Sequence, residues 1–439
     1  MAHVRDTIYA LSSGSGKAGV AVIRVSGRCS REIAVTCCGF LPKPRKASCV
    51  PVLIGNGTRK IDDGLALWFP QPASFTGEDV FEIHLHGSIG IVRMLMAELG
   101  GMVDVRPAEP GEFTRRALLN GKMDLISVEG LGDMLGAGSA SQVEQALFHV
   151  DGRASEIFAE WRQKLVECCA LAEACIDFTD EEGVAEAALL QIHLAVSSLQ
   201  HTLQHHLSES DRGRLVRDGV RVVLVGAPNA GKSSLMNAVS ARDVAIVSNE
   251  AGTTRDTIEA SLDLNGIAVT LTDTAGLREK VDSHVEQLGI DRTIERLKSA
   301  DLVLSIASYD ADWLNSSFDS HTLRIWNKMD VVPAPLNAMV NLSVSALSGE
   351  GIDALIMQIS QIAGELSDGQ EPALLVRERQ VHAVRTCLVH LANAVDSDLA
   401  IELVAEELRN ASNELDRLIG VIGTEDVLGE IFSNFCVGK

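Results

Sequence analysis

"GAPNAGKS", Gly226 to Ser233, decides the fold. It follows the apolar run "VRVVLVG" and opens "KSSLMNAV", so a predicted strand runs through a glycine turn into a predicted helix. In that setting G-x-x-x-x-G-K-[ST] is a phosphate-binding loop. Backbone N–H groups of the turn and of a helix N-terminus surround phosphate oxygens. Lys232 supplies a positive charge to the β- and γ-oxygens, and the Ser233 hydroxyl is placed to ligate Mg²⁺. Asn229, Ala230, Gly231 and Ser234 complete the loop.

Three further motifs follow in order. "DTAG", Asp273-Thr274-Ala275-Gly276, ends the apolar run "IAVTLTD"; Asp273 suits a water-mediated hold on Mg²⁺ and the Gly276 N–H suits a γ-phosphate sensor. "NKMD" places Asn327, Lys328 and Asp330 after "TLRIWN". The Asp330 carboxylate can accept both N1–H and the 2-amino group of guanine. Adenine presents an acceptor there and lacks the amino group, so GTP is favoured over ATP by the cost of a charge left partly unpaired. "SAL", Ser345-Ala346-Leu347, is positioned to complete the base pocket. Alternating strands and helices from about 220 to 363 read as a parallel α/β sheet.

Leu277 follows DTAG, so no glutamine stands there to orient water. Asn229 and the loop "AIVSNEAGTTRD" (245–256) offer amide and carbonyl oxygens, hard donors suited to a monovalent cation beside the phosphates, and Thr254 offers a hydroxyl to Mg²⁺. Asn229 either ligates such a cation or braces its own loop; the residue type fits both.

The rest of the chain sets bounds. Its 439 residues suggest two to four domains at roughly 150 residues each. Residues 1–120 mix β-alternating runs such as "GVAVIRVSG" and "DGLALWFP" with the helix-like "SIGIVRMLMAELG", an α+β pattern. Helical periodicity runs from about 119 to 215 and returns over 375–418, so one helical domain is expected to be interrupted by the α/β block. His201, His205 and His206 read as a solvated helix face, with no carboxylate or cysteine completing a metal set. Nine cysteines without C-x-x-C spacing suggest free thiols in a reducing cytoplasm. No run of about 18 apolar residues spans a membrane, and "MAHVRDTIYALSSG" lacks the apolar core of a signal peptide.

The net charge of −22 argues against a general nucleic-acid binder. Residues 1–120 hold 14 Lys and Arg against 11 Asp and Glu, a balance of +3, leaving −25 for the remainder. A basic partner is expected if RNA is the substrate. The terminal "IFSNFCVGK" puts Cys436 where a prenylation box would, but Gly438 and Lys439 fit that box poorly. The tail is then either a frayed end or part of a site.

Taken together, "AVIRVSG", "SFTGEDVFEIH", "PGEFTRRALLNGKMDL", "IDFTDEE", "GAPNAGKSSLMNA", "AGTTRD", "DTAGLRE", "VEQLGI" and the terminal "FCVGK" resemble the tRNA modification GTPase family known as MnmE or TrmE, over nearly the whole length. The resemblance implies a multidomain α+β and α/β protein. Its parts are an N-terminal α+β folate-binding and dimerisation domain (1–120), a discontinuous all-α helical domain (121–216 and 371–439) and an inserted P-loop GTPase α/β domain (217–370). It implies a homodimer that joins an FAD-containing MnmG (GidA) type protein in a heterotetramer. Together they would modify C5 of the wobble uridine of certain tRNAs, adding an aminomethyl or carboxymethylaminomethyl group with a one-carbon unit from a tetrahydrofolate derivative, 5-formyl or 5,10-methylene.

By resemblance, K⁺ is held by Asn229, Ser248, Glu250 and Thr253, and Mg²⁺ by Ser233 and Thr254. GTP contacts extend over Asn249, Ala251 and Gly252 in the same loop. Ser248 stands where threonine is common and Glu250 where an apolar residue is common; backbone ligands tolerate both. Glu286 of "VEQLGI" matches the glutamate that orients the attacking water through a second water. Arg24, Glu82, Lys122 and Lys439 match folate-binding positions, and Cys436 would reach the same pocket. "HLHGS" (84–88) departs from the family's Gly-His-Gly-Gly. A regulatory GTPase of ribosome assembly is the alternative that the G motifs alone permit.

Overall fold

A computed structural model describes residues 6–177, 184–242, 259–273, 299–313, 321–335, 339–369, 371–396 and 399–420, with Phe432, Phe435 and Gly438. They form two compact units. One comprises Met1–Gly132, His149–Gln163 and Ser412–Lys439; the other comprises Asp133–Phe148 and Lys164–Ala411.

The first unit is built on a six-stranded sheet in the order β3-β4-β5-β2-β1-β6. The strands are β1 (Thr7–Leu11), β2 (Ala18–Ser26), β3 (Ser48–Ile54), β4 (Arg59–Phe69), β5 (Val80–Gly87) and β6 (Val105–Pro107). Only β1 and β6 run parallel. Period-two alternation explains the faces: Ala21, Ile23 and Val25 are buried while Val20, Val22 and Arg24 point the other way. The buried face packs under α1 (Ser30–Cys38) and α2 (Ile89–Gly100), around Ile33, Trp68, Phe81, Leu95 and Leu99. Cys37 and Cys38 belong to this core, and burial pushes both thiols up to about 12. All cysteines among the described residues are free, as the composition suggests.

Helix α3 (Glu112–Leu119) follows within residues 1–120; α4 (Leu125–Gly136), α5 (Ala140–Val150), α6 (Arg153–Asp177), α7 (Val184–Ser208) and α8 (Ser210–Asp218) come after it, in the region where the sequence shows helical periodicity. The second unit holds the other six-stranded sheet, ordered β12-β11-β10-β7-β9-β8. Its strands are β7 (Val220–Gly226), β8 (Glu259–Leu264), β9 (Ile267–Asp273), β10 (Leu302–Ala307), β11 (His321–Trp326) and β12 (Leu342–Ser343). All neighbours are parallel except the β8–β9 hairpin. Parallel strands are covered on both faces and so read as continuous apolar runs; every residue of β10 is buried. Helices α9 (Lys232–Ser240) and α10 (Ile352–Ser367) cover this sheet. After them come α11 (Glu378–Ala394) and α12 (Ile401–Ile419). The α12 residues Val404, Leu408, Ala411, Leu415 and Leu418 are buried at three- and four-residue steps, a one-face helix. No described helix is long and apolar enough to cross a membrane.

Candidate functional site

The P-loop, Asp273 of DTAG and the NKMD and SAL turns converge because β7, β9, β11 and β12 end on the same edge of one sheet, with β10 between β7 and β11. Register pairs Leu224 of β7 with Asp273 of β9, and Gly226 of β7 with Ile306 of β10. The carboxyl ends of parallel strands form the crevice where open α/β sheets bind ligands.

Between β7 and α9 the chain turns through Asn229 (φ 66°) and Gly231 (φ 89°). A side chain at Gly231 would put its Cβ 2.2 Å from Asn327 Nδ2, so only glycine fits. The buried Lys232 folds back over the loop, and its Nζ donates to the carbonyls of Gly226 at 3.0 Å and Ala227 at 3.2 Å. Ser233 Oγ donates to Asp273 Oδ2 at 2.5 Å. These are two hard oxygens on one spot, the donor chemistry Mg²⁺ takes.

Asn327 braces two loops. Its Nδ2 donates to Ala230 O at 2.9 Å and its Oδ1 accepts from Ala346 N at 3.2 Å. Only the residue type and its place in NKMD are visible in sequence; this bridge between the phosphate loop and the SAL turn is not. Ser345 Oγ accepts from Ser348 N at 3.1 Å and closes that turn. Lys328 (φ 61°) sends its Nζ to both carboxylate oxygens of Asp310, each at 2.8 Å. That carboxyl is held below its ordinary value by Lys328 first, then by Ser308. Asp330, Asn229 and Ser234 are exposed, and Leu347 is 90% exposed. Ser248, Asn249, Glu250, Ala251, Gly252, Thr253, Thr254, Thr274, Ala275, Gly276 and Glu286 lie outside the described residues, as do Cys436 and Lys439.

In the first unit, cross-strand register sets Arg24 opposite Glu82, and Arg24 Nε donates to Glu82 Oε1 at 2.7 Å. The Arg24 guanidinium also lies 5.2 Å from the ring centre of Phe75 and 5.6 Å from that of Phe113. His84 Nε2 is 3.8 Å from Glu82 Oε2. His84 and His86, from the divergent "HLHGS", line an open cavity of about 470 Å³ with Val20, Cys49 and Leu65. Lys122 is exposed, and its stem lies over Gly77 of "SFTGED".

"PGEFTRRALLNGKMDL" turns out to carry an ion cluster. Arg106 pairs with both oxygens of Glu112 at 2.8 and 2.6 Å, Arg116 reaches Glu112 at 3.1 Å, Asp6 at 3.0 Å and Glu78 at 3.2 Å, and Ser26 Oγ donates to Glu78 at 2.7 Å. Burial alone would push Glu112 up; hydrogen bonds from Arg106, the Glu109 N–H and Arg116 outweigh it and hold the carboxyl below its ordinary value. The cluster ties the "SFTGED" loop, and with it Phe75, against α3. The signal for it was Glu112 and Arg116 one turn apart beside the apolar Phe113 and Ala117.

The tail is docked. Phe432 and Phe435 pack with Val128, Leu118 and Leu131. Ser12 Oγ donates to Gly438 O at 3.0 Å. Gly438 has φ 99°, and a Cβ there would meet Leu11 O at 2.3 Å. Leu11 is one residue beyond Ala10, the register partner of Arg24. Ser12 was not singled out from sequence, and no local signal marks it. His201 and His205 are exposed; His206 is half-buried, and burial with its neighbour His205 lowers its pKa. Among the described residues no cluster of three metal-ligating side chains occurs.

A parallel sheet whose phosphate loop, magnesium-type Ser–Asp pair and NKMD turn meet at its carboxyl edge defines a P-loop GTPase. Comparison with known proteins narrows the class. The model of the MnmE helical domain matches residues 125–436, and that of the GTP-binding protein TrmE N-terminus matches residues 7–122. The tRNA modification GTPase MnmE of Brucella suis biovar 1 (strain 1330) is 44% identical over 438 residues, covering 99% of this chain and 98% of that protein. The protein of the same name from Beijerinckia indica subsp. indica is 43% identical over 435 residues, covering 99% and 96%. Among solved structures, the G domain of the T. maritima FeoB iron transporter covers 33% of this chain and 98% of its own, with 24% identity and a TM-score of 0.23. The chain belongs to the tRNA modification GTPase MnmE family.

Proposed function

We propose that the protein hydrolyses GTP in the service of tRNA wobble-uridine modification. The observation that carries the hydrolase reading is the meeting of Lys232, the Ser233–Asp273 pair and the Asn327 brace at one edge of the sheet. Lys232 exchanges its loop carbonyls for β- and γ-phosphate oxygens. Ser233 and Asp273 would hold Mg²⁺, Asp273 through water, and the ion would neutralise charge on the phosphates. Asp330 reads guanine N1–H and the 2-amino group. Asn229 contributes its oxygen to a K⁺ site whose other members, Ser248, Glu250 and Thr253, come from the family resemblance, and Glu286 orients the attacking water.

The one-carbon chemistry falls to the first unit. Arg24 and Glu82 fit a ligand with both anionic and aminopyrimidine parts, Phe75 offers a flat apolar face, and Lys122 and Lys439 suit an anionic tail. Docking of Gly438 beside β1 supports a role for the adjoining Cys436 in that pocket. The protein works as a homodimer with an FAD-containing partner of the MnmG type, whose basic surface offsets the −25 carried by residues 121–439 when tRNA binds. Free cysteines support a reducing, cytoplasmic setting.

Two measurements on the full chain test this. GTP hydrolysis in KCl is expected to exceed that in NaCl by at least about tenfold, the scale of a transition-state cation; equal rates remove the K⁺ site. 5-Formyltetrahydrofolate is expected to bind wild type and to lose affinity in Arg24→Ala. Unchanged affinity removes Arg24 from the pocket.

A further inference from the structure

NKMD gives this site a lysine whose side chain is fixed at both ends. At the backbone end, Lys328 follows the buried Asn327, and its carbonyl accepts from Val331 N at 3.0 Å and Val332 N at 3.2 Å. The next residue, Met329, donates its N–H to Val344 O at 3.1 Å. At the far end, Nζ sits 2.8 Å from each oxygen of Asp310 and 5.4 Å from the centre of the Tyr309 ring. Asp310 is itself built in. Ser308 and Ala311 exchange backbone hydrogen bonds of 2.9 and 3.1 Å around it, and the buried Ser308 Oγ donates to Asp310 Oδ1 at 2.7 Å.

Lysine is ordinarily a flexible point charge on four methylenes. With its ammonium anchored on Asp310 and its backbone anchored at the P-loop brace, those methylenes form a fixed apolar ridge two residues from Asp330. A purine presents a flat apolar face as well as a hydrogen-bonding edge, and a lysine stem covers apolar surface while its charge stays outside. We propose that Asp310 is a positioning residue for guanine recognition: it holds Lys328 so that the lysine stem walls one face of the base whose edge Asp330 reads. Tyr309, over the ammonium, keeps that end of the lysine in place. The proposal rests on the GTP reading of this site and adds to it a residue outside the four G motifs.

The role predicts a split between binding and turnover. Asp310→Ala frees a side chain whose ordering then falls on nucleotide binding. The dissociation constant for a fluorescent GDP and KM for GTP are expected to rise about three- to tenfold, the cost of ordering one long side chain. kcat at saturating GTP stays within about twofold, since no phosphate contact changes. Asp310→Glu, which keeps the charge, restores most of the affinity. The unfolding temperature without nucleotide stays at the wild-type value, because a surface ion pair contributes little to stability. Wild-type affinity in Asp310→Ala overturns the proposal, and so does a fall in kcat or unfolding temperature that matches the loss of binding. If wild type itself fails to prefer GDP over ADP, the GTP reading fails instead.

Discussion

Replacing Asn327 by alanine should loosen the phosphate loop without touching a phosphate ligand. Asn327 is 1% exposed and joins two loops. Removing its amide orphans the Ala230 carbonyl, which belongs to a fully buried residue, and the half-buried Ala346 N–H. An unsatisfied buried group costs about 1–3 kcal/mol. Water reaches Ala346 more readily, so about 1 kcal/mol is assigned there and about 1–2 kcal/mol to Ala230. The sum, about 2–3 kcal/mol, weakens nucleotide binding by roughly 30- to 150-fold if the loop must be reordered by the ligand. Asn327→Asp is the control. It preserves shape and the acceptor for Ala346 N–H, but sets a carboxylate oxygen where Nδ2 now donates to Ala230 O at 2.9 Å. The aspartate variant should therefore bind more weakly than the alanine variant. Titration of a fluorescent GDP analogue at fixed Mg²⁺ measures both. Binding within threefold of wild type for Asn327→Ala, or tighter binding by Asn327→Asp than by Asn327→Ala, refutes the brace.

Glu112→Ala leaves the nearly buried Arg116 short of its carboxylate, and about 3–5 kcal/mol of stability should be lost at pH 7. Urea unfolding followed through tryptophan emission, to which the buried Trp68 contributes, measures it; a loss under about 1 kcal/mol contradicts the cluster. The folded-state pKa of Glu112 lies below its ordinary 4.5, so its contribution is complete above that value and disappears as the pH falls through the folded-state pKa. The difference between wild type and Glu112→Ala should accordingly shrink in acid. Gly438→Ala should displace the tail, because its Cβ would meet Leu11 O at 2.3 Å; tRNA modification should fall while GTP hydrolysis persists. Cys436→Ser should give the same split, and equal loss of both activities, or of neither, would count against a tail role in the modification chemistry.

What sequence could reveal depended on range. The P-loop, Asp273 and NKMD each declare themselves within a few residues at a strand end, because the chemistry of phosphate, Mg²⁺ and guanine demands those types there. Strand runs such as "VRVVLVG" and "DGLALWFP" were equally legible, since burial on one or both faces writes itself into short-range periodicity. Contacts between distant residues were not. The Asn327–Ala230 bridge joins positions 97 apart, and the Ser12–Gly438 bond joins positions 426 apart. Charge counting treated Asp6, Arg106, Glu112 and Arg116 as four entries in a balance of +3. Only three-dimensional proximity turns them into one part-buried cluster that fixes the loop bearing Phe75. The motif NKMD makes Lys328 visible in sequence, whereas its anchor Asp310 carries no motif at all.

The two ends of the nucleotide site are prepared in opposite ways. At the phosphate end the described charges, Lys232 and Asp273, already have partners. Lys232 rests on two carbonyls and Ser233 on Asp273, while Gly231 and Asn327 set the loop's shape. A triphosphate entering there trades neutral carbonyl acceptors for anionic oxygens, and charge-assisted bonds are roughly twice as strong. That trade is favourable for any nucleoside triphosphate, so it supplies affinity without choosing a base. At the other end Asp330 and Leu347 stand exposed, and Lys328, two residues before Asp330, is tied to Asp310. An exposed carboxylate loses its water when a base covers it, and only guanine returns two donors in exchange. On the proposed reading, discrimination would reside in desolvating Asp330, and its size would depend on how tightly the neighbouring walls shut water out. Rigid walls raise the penalty for adenine; a mobile lysine would let water remain and lower it. On the proposed reading, the Asp310 anchor and the Asp330 reader would be parts of one selectivity device, although only the second can be recognised in the sequence.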